Sequence, residues 1–179
     1  PTAALQLVAK EILHISDIVK DAVSNTIEIV KTEDISQLEG LLEKGKNIKS
    51  LTDKTTEYLA LLFSSGTMTE QQAAQTASLM YILSDVERMG SLSVEIAKCI
   101  QEKEQNNYKY TPEAMEELQK SLRTLEKMFI DSMKALQGDK SVQIDKMVKR
   151  KDKIMDLDIK MRKAHLQRVN KGKCKASLT

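Results

Sequence analysis

The sequence lacks most of what a β-sheet protein, a disulfide-stabilised secreted protein or a membrane-spanning protein needs. Only 3% of the 179 residues are aromatic, none is tryptophan, and there are two prolines and six glycines. The two cysteines, Cys99 and Cys174, are far apart and form no C-x-x-C pair, so we expect free thiols in a reducing compartment. No stretch approaches the roughly 18 consecutive apolar residues of a membrane span, and no signal peptide opens the chain. We expect a soluble all-α protein.

The residues that are abundant form helical patterns. Apolar residues recur at spacings of three and four, which predicts five long antiparallel helices. They run from about Leu5 to Thr32, Asp34 to Ser64, Thr69 to Glu104, Thr111 to Gly138 and Ser141 to Asn170. Three caps are predicted at their starts, namely Asp34 with Gln37, Thr69 with Gln72, and Thr111 followed by Pro112.

The helical pattern occurs twice. When the sequence is shifted by 106 positions, residues 31–38 fall on residues 137–144, and apolar positions of helices 1 and 2 fall on apolar positions of helices 4 and 5. A period this long indicates a duplicated helical module. We therefore expect one domain over residues 1–179, with a complete three-helix repeat in residues 1–104 and a second repeat, residues 111–179, that lacks its third helix.

Carboxylates on the apolar faces of helices 3 and 5 are candidate functional groups. Glu87 continues the apolar series of helix 3, and Asp152 interrupts that of helix 5, with Asp156 one turn later. A buried carboxylate is costly unless it is paired or binds a cation, and acidic pairs on facing helices form metal sites in bundles. Spacing alone favours ion pairs with lysines instead. Lys149 or Lys153 would pair with Asp152, Lys160 with Asp156, and a neighbouring lysine with Glu87.

Residues 84–97, with the sequence SDVERMGSLSVEIA, resemble the signature of the PhoU family, in which a helix carries L-E-R-I-G-D-H-A-x-N-I-A. That family is built from two three-helix repeats, which agrees with the duplicated helical pattern of this sequence. Residues 151–157 resemble its acidic D-x-x-x-D motif. Residues 1–12 are similar to the start of the cytoplasmic PhoU-like domain that follows the membrane part of bacterial sodium/phosphate cotransporters.

The resemblance implies a PhoU-like up-down helix bundle and a function in phosphate transport. The preferred hypothesis is a regulatory or interaction domain on the cytoplasmic face of the cell membrane, in contact with the membrane part of a sodium-dependent phosphate transporter. A free-standing PhoU-like regulator of phosphate uptake and signalling is the alternative, and a coiled-coil adaptor comes third. Because the chain opens at Pro1 without a methionine, we expect a fragment of a longer protein.

The family binds multinuclear metal clusters, usually of iron, but this sequence departs from its acidic motifs. Lys46 and Ser50 align with Asp152 and Asp156, and Ser91 stands where the family has aspartate. We expect no cluster in the first repeat, with Lys46 neutralising Glu87, and at most a weak, exchangeable cation at Asp152 and Asp156. No iron or other cofactor is expected. The degenerate family motif comprises Asp85, Glu87, Arg88, Ser91, Lys46 and Ser50.

Positive charge is concentrated towards the end of the chain. Residues 140–175 contain 13 lysines and arginines against four aspartates, whereas residues 1–139 contain 15 against 22 acids. The basic region has no aromatic residues for base stacking and no nucleic-acid-binding motif, so we expect no nucleic-acid partner. Three explanations of this positive charge remain. The basic residues form a solvated helix face, contact an anionic lipid surface, or contact the acidic half of a second copy.

Two further expectations concern contacts and catalysis. Helices 4 and 5 lack a third helix, so apolar residues of helix 5 should be exposed and should favour a homodimer through helices 4 and 5. These residues are Val148, Met155, Ile159 and Leu166. Neither His14 nor His165 belongs to a nucleophile, metal or phosphate-binding motif, so no enzyme is expected.

Overall fold

The computed structural model describes residues 2–175, and this part of the chain is helical and contains no strand. The helices are α1 (Thr2–Thr32), α2 (Leu38–Ser64), α3 (Glu70–Gln105), α4 (Pro112–Leu136) and α5 (Ile144–Asn170). The all-α fold with five helices is therefore confirmed. The ends of the predicted domain, Pro1 and residues 176–179, lie outside the described residues. Over residues 2–175, no helix has both the length and the apolar character that crossing a bilayer requires.

Two of the predicted caps are confirmed and one is wrong. The hydroxyl of Thr69 accepts from the N–H of Gln72 at 3.2 Å, while the side chain of Gln72 accepts from the N–H of Thr69 at 3.0 Å. Thr111 likewise accepts from the N–H of Ala114 at 3.3 Å. Asp34, by contrast, does not cap α2, because a 3-10 turn over Ile35–Gln37 precedes the α-helix and makes Gln37 its N-cap.

The chain divides into two compact units, and the first comprises Pro1–Thr26 and Ile35–Cys99. Apolar faces of α1, α2 and α3 form its core, and each fully buried large side chain contributes roughly 1.5–3 kcal/mol. Among the most buried are Ile12, Ile15 and Val19 of α1, Leu41, Ile48 and Leu59 of α2, and Leu83 and Val86 of α3. A buried hydrogen bond of 2.9 Å from the hydroxyl of Thr26 to the carbonyl of Ser93 joins α1 to α3.

Helix α3 comes close to both of its neighbours at Gly90. A Cβ atom at this position would lie 3.1 Å from Cδ1 of Ile48 in α2 and 3.5 Å from Cγ2 of Val19 in α1. Real Cβ atoms seldom come as near as 3.1 Å to another carbon. The absence of a side chain at Gly90 therefore allows the three helices to pack against each other.

The second unit comprises Ile27–Asp34 and Ile100–Thr179, and it contains α4 and α5. The two helices are antiparallel, because contacts pair Glu117 with Arg168 and Ser121 with Met161. Leu122 and Phe129 of α4 are buried, whereas α5 has no fully buried residue. Helix α5 begins at Ile144, three residues later than predicted, because residues 139–142 form a turn in which Asp139 accepts from the N–H of Ser141 at 2.8 Å.

A buried lysine holds the end of α3 within the second unit. The ammonium of Lys103 lies 2.7 Å from Glu33 and 2.9 Å from Glu104, and 5.7 Å from the ring centre of Tyr110. Burial lowers the pKa of Lys103, but hydrogen bonds to the two carboxylates outweigh it, so the pKa of this lysine is raised. The network stabilises the start of the link between α3 and α4.

Candidate functional site

Four residues of the degenerate motif line one groove between α2 and α3. Lys46 and Ser50 contribute from α2, and Glu87 and Ser91 contribute from α3. Each pair is spaced by four residues and so lies on one face of its helix. The groove, hereafter the α2–α3 groove, has a volume of about 720 Å³. Asp85 and Arg88 are exposed and lie outside its lining.

Close packing of the two helices forms the groove. A Cβ atom on Gly45 would lie 3.0 Å from Cγ2 of Val94, and Gly90 packs against Ile48 as described above. Glycine in both helices therefore lets the backbones approach, so that the polar side chains beside the contact share one surface. This approach brings positions together that are about 40 residues apart in sequence.

The carboxylate of Glu87 is neutralised by Lys49, not by the predicted Lys46. The ammonium of Lys49 lies 3.5 Å from Glu87 and 2.8 Å from Asp53. Its hydrogen bond to Asp53 and the charge of Glu87 raise the pKa of Lys49. Glu87 is only 29% exposed, so this contact offsets the cost of partial burial.

Lys46 instead turns towards Glu43 of its own helix, 2.6 Å away, and this hydrogen bond raises the pKa of Lys46. The predicted pairing of Lys46 with Glu87 is wrong because residues three apart differ in direction by about 60° around a helix. Of Lys46 and Lys49, only Lys49 therefore faces Glu87. The sequence contained a signal for Lys49. This residue directly follows Ile48, an apolar residue on the buried face of α2 that packs against Gly90 of α3.

The residues of the α2–α3 groove do not fit the metal cluster that the resemblance implies. Oxygen-ligated clusters need several carboxylates around each ion. Here Glu87 and Asp53 contact Lys49, and Glu95 lies 3.2 Å from Lys98. Within residues 2–175, no group of three or more His, Cys, Asp or Glu side chains is placed to hold a metal ion.

Asp152 and Asp156 lie one turn apart on α5, and both are exposed. The expected ion pairs with Lys149, Lys153 and Lys160 are absent from the described part of the chain. The two carboxylates offer at most two protein ligands to a cation. A weak cation site there stays a prediction.

The structure also shows a polar cluster that sequence reasoning missed. Cys174 Sγ lies 3.7 Å from Nδ1 of His165, and Arg168 of the same helix lies 3.6 Å from Glu117. The pair of Arg168 and Glu117 joins the end of α5 to the start of α4. The contact with Cys174 gives the imidazole of His165 a polar partner. Both Cys99 and Cys174 are free thiols, as predicted.

Comparison with known proteins identifies the first three helices. Residues 12–100 match the family model of the PhoU domain, a range that contains all four motif residues of the α2–α3 groove. A search of curated proteins and a search of solved structures gave no significant match. PhoU proteins are non-enzymatic regulators of phosphate transport. The match, the helical architecture and the convergence of the motif positions show that this chain belongs to the PhoU family.

Proposed function

We propose that the chain is a regulatory and interaction domain of a sodium-dependent phosphate transporter, acting on its cytoplasmic face through protein contacts. The observation that supports this proposal is the α2–α3 groove. It brings the family's motif positions together, but it presents ion-paired lysines in place of an acidic cluster. Such a surface is suited to binding a charged protein partner. The similarity of residues 1–12 to the start of transporter PhoU-like domains supports the membrane part as that partner, in cis.

Phosphate uptake in the native host tests this proposal. We expect removal of the domain to change uptake of labelled phosphate in sodium medium, and to have no such effect when potassium replaces sodium. Lys49→Glu should reproduce the change because it reverses the charge beside Glu87. Lys20→Glu is the matched control, since Lys20 forms a similar exposed ion pair with Asp17 on α1, away from the groove.

The outcomes separate the alternatives. Several apolar spans of about 20 residues encoded before Pro1 would support the transporter domain. An initiator methionine close to Pro1, combined with altered uptake, would establish a free-standing regulator instead. Unchanged uptake after removal of the domain would contradict both.

One stripe of α5 is a second candidate contact surface. Its apolar side chains are 53–67% exposed, which confirms the exposure predicted for helix 5. The stripe, hereafter the α5 stripe, consists of Ile144, Val148, Met155, Ile159 and Leu166. These residues follow spacings of four and seven and so lie on one face of the helix.

We propose that a second copy of the chain covers the α5 stripe. If two α5 helices pair in antiparallel fashion about Met155, Lys151 comes beside Asp158 of the other copy, and Lys163 beside Asp145. The stripe is therefore bordered by charges that complement themselves under twofold symmetry.

Light scattering should give the mass of a dimer for the purified chain and of a monomer for Val148→Glu with Ile159→Glu. A buried pair of new carboxylates would prevent association. Leu61→Glu with Tyr81→Glu is the matched control, because both residues are exposed and belong to the other unit. A strict monomer at high concentration would contradict this proposal.

A further inference from the structure

A second groove, between α4 and α5, is lined mainly by cations, which are five of its eight residues. Its volume is about 620 Å³. Glu116 is its one acid, and its five basic residues are Lys120, Arg123, Lys127, Arg150 and Lys153. Arg150 and Lys153 of this basic groove belong to the positively charged region 140–175, whereas its other three cations come from α4. The proposed function leaves the groove unexplained.

The helical register explains why these cations converge. Lys120, Arg123 and Lys127 follow spacings of three and four along α4, so they share one face of that helix. Arg150 and Lys153 are one turn apart on α5. The ion pair between Arg150 and Asp131 of α4 fixes the two faces beside each other.

The arrangement brings several like charges close together in the free protein. Arg150 is neutralised by Asp131, but the other four cations form no ion pair within the part of the chain that the structure describes. Like charges one turn apart on a helix repel each other. A multivalent anion in the groove would relieve this repulsion, and its binding would be strengthened by the field of all the cations together.

The lining also limits the chemistry of the anion. None of the side chains that line the groove is apolar or aromatic, so an acyl chain would find no complementary surface, and a nucleobase could stack only on the guanidinium groups of Arg123 and Arg150. Besides the cations, the groove offers the amide of Gln119 and the hydroxyl of Thr124, which can donate hydrogen bonds to phosphate oxygens.

The length of the basic face indicates more than one phosphate group. Lys120 and Lys127 are seven residues apart, which corresponds to about 10 Å along α4. A single phosphate ion can contact only part of this face, whereas a linear chain of phosphates can follow it. We propose that the basic groove binds an inorganic oligophosphate of at least three phosphate units.

Calorimetric titration of the full chain with tripolyphosphate tests this inference. The triple variant Lys120→Gln, Arg123→Gln, Lys127→Gln should weaken binding by at least about tenfold, because it removes three charge-assisted contacts. The matched control is Lys146→Gln, Lys149→Gln, Lys160→Gln. It removes three positive charges from exposed positions of α5 outside the groove and should change affinity by less than about threefold. Circular dichroism should confirm that both variants keep the helical fold.

Three outcomes would overturn the proposal. Equal losses in the two triple variants would show diffuse attraction to net charge and not a site. Inorganic phosphate binding as tightly as tripolyphosphate would exclude a requirement for a chain of phosphates. ATP binding more than about tenfold tighter than tripolyphosphate would show that a nucleotide is recognised. The inference is supported if ATP binds no more tightly than tripolyphosphate and phosphate binds at least about tenfold more weakly.

Discussion

Replacing Gly90 with leucine should lower the free energy of unfolding by about 3 kcal/mol, the largest loss expected from a single substitution near the α2–α3 groove. A Cβ atom there already meets Ile48 at 3.1 Å and Val19 at 3.5 Å, so a leucine would force α3 away from both neighbouring helices. Alanine at the same position should be milder, because its one added carbon requires only Cδ1 and Cγ2 of Ile48 to shift by a few tenths of an ångström.

Gly40 supplies the matched control. It lies within a helix of the same unit, α2, but a Cβ atom there would meet nothing within 4 Å. Gly40→Leu should therefore stabilise the chain by about 0.5–1 kcal/mol through helix propensity. Urea unfolding followed by circular dichroism measures both changes. Equal effects at Gly40 and Gly90 would contradict the close approach of the three helices.

Restoring the family's acids should convert the α2–α3 groove into a metal site. The triple variant Lys46→Asp, Ser50→Asp, Ser91→Asp adds three carboxylates to Glu87, with two acids one turn apart on each of two facing helices. We expect near-stoichiometric divalent metal by elemental analysis of this variant after metal loading and desalting. The same metal should also raise its thermal midpoint, because the ion binds only the folded state.

The unaltered chain should carry no near-stoichiometric iron or zinc, and at most a weak, exchangeable cation at Asp152 and Asp156. A control with the same types of change at exposed positions outside the groove, Lys20→Asp, Ser78→Asp and Ser84→Asp, should bind no metal. Near-stoichiometric iron in the unaltered chain would refute this interpretation. Failure of the triple variant to bind metal would contradict the prediction that these acids convert the groove into a metal site.

The helices could be predicted from the sequence because the interactions that define them are local. Apolar spacing determines which face of each helix is buried, and the caps at Thr69 and Thr111 involve residues only three positions apart. The cap at Asp34 was wrong for a reason that is also local, since a 3-10 turn and an α-helical turn offer similar hydrogen bonds over three residues.

The signature of helix 3 and the alignment of the two repeats identified Glu87, Ser91, Lys46 and Ser50 as related positions, and the structure brings them to one groove. The sequence also showed that the basic residues are concentrated near the end of the chain. These properties follow from residue types and from periodicity, which are independent of how neighbouring helices are rotated. The all-α fold could therefore be predicted from periodicity, and family membership from the resemblance of residues 84–97 to the signature of the family.

The partners of individual charges depended on the tertiary structure. Lys49 rather than Lys46 contacts Glu87 because glycines let α2 and α3 approach at one rotation of the helices, and a difference of three residues changes the direction of a side chain by about 60°. In the same way, the density of basic residues did not reveal that cations of α4 and α5 line a common groove. Contacts between helices depend on distances and rotations that the sequence pattern of one helix does not contain.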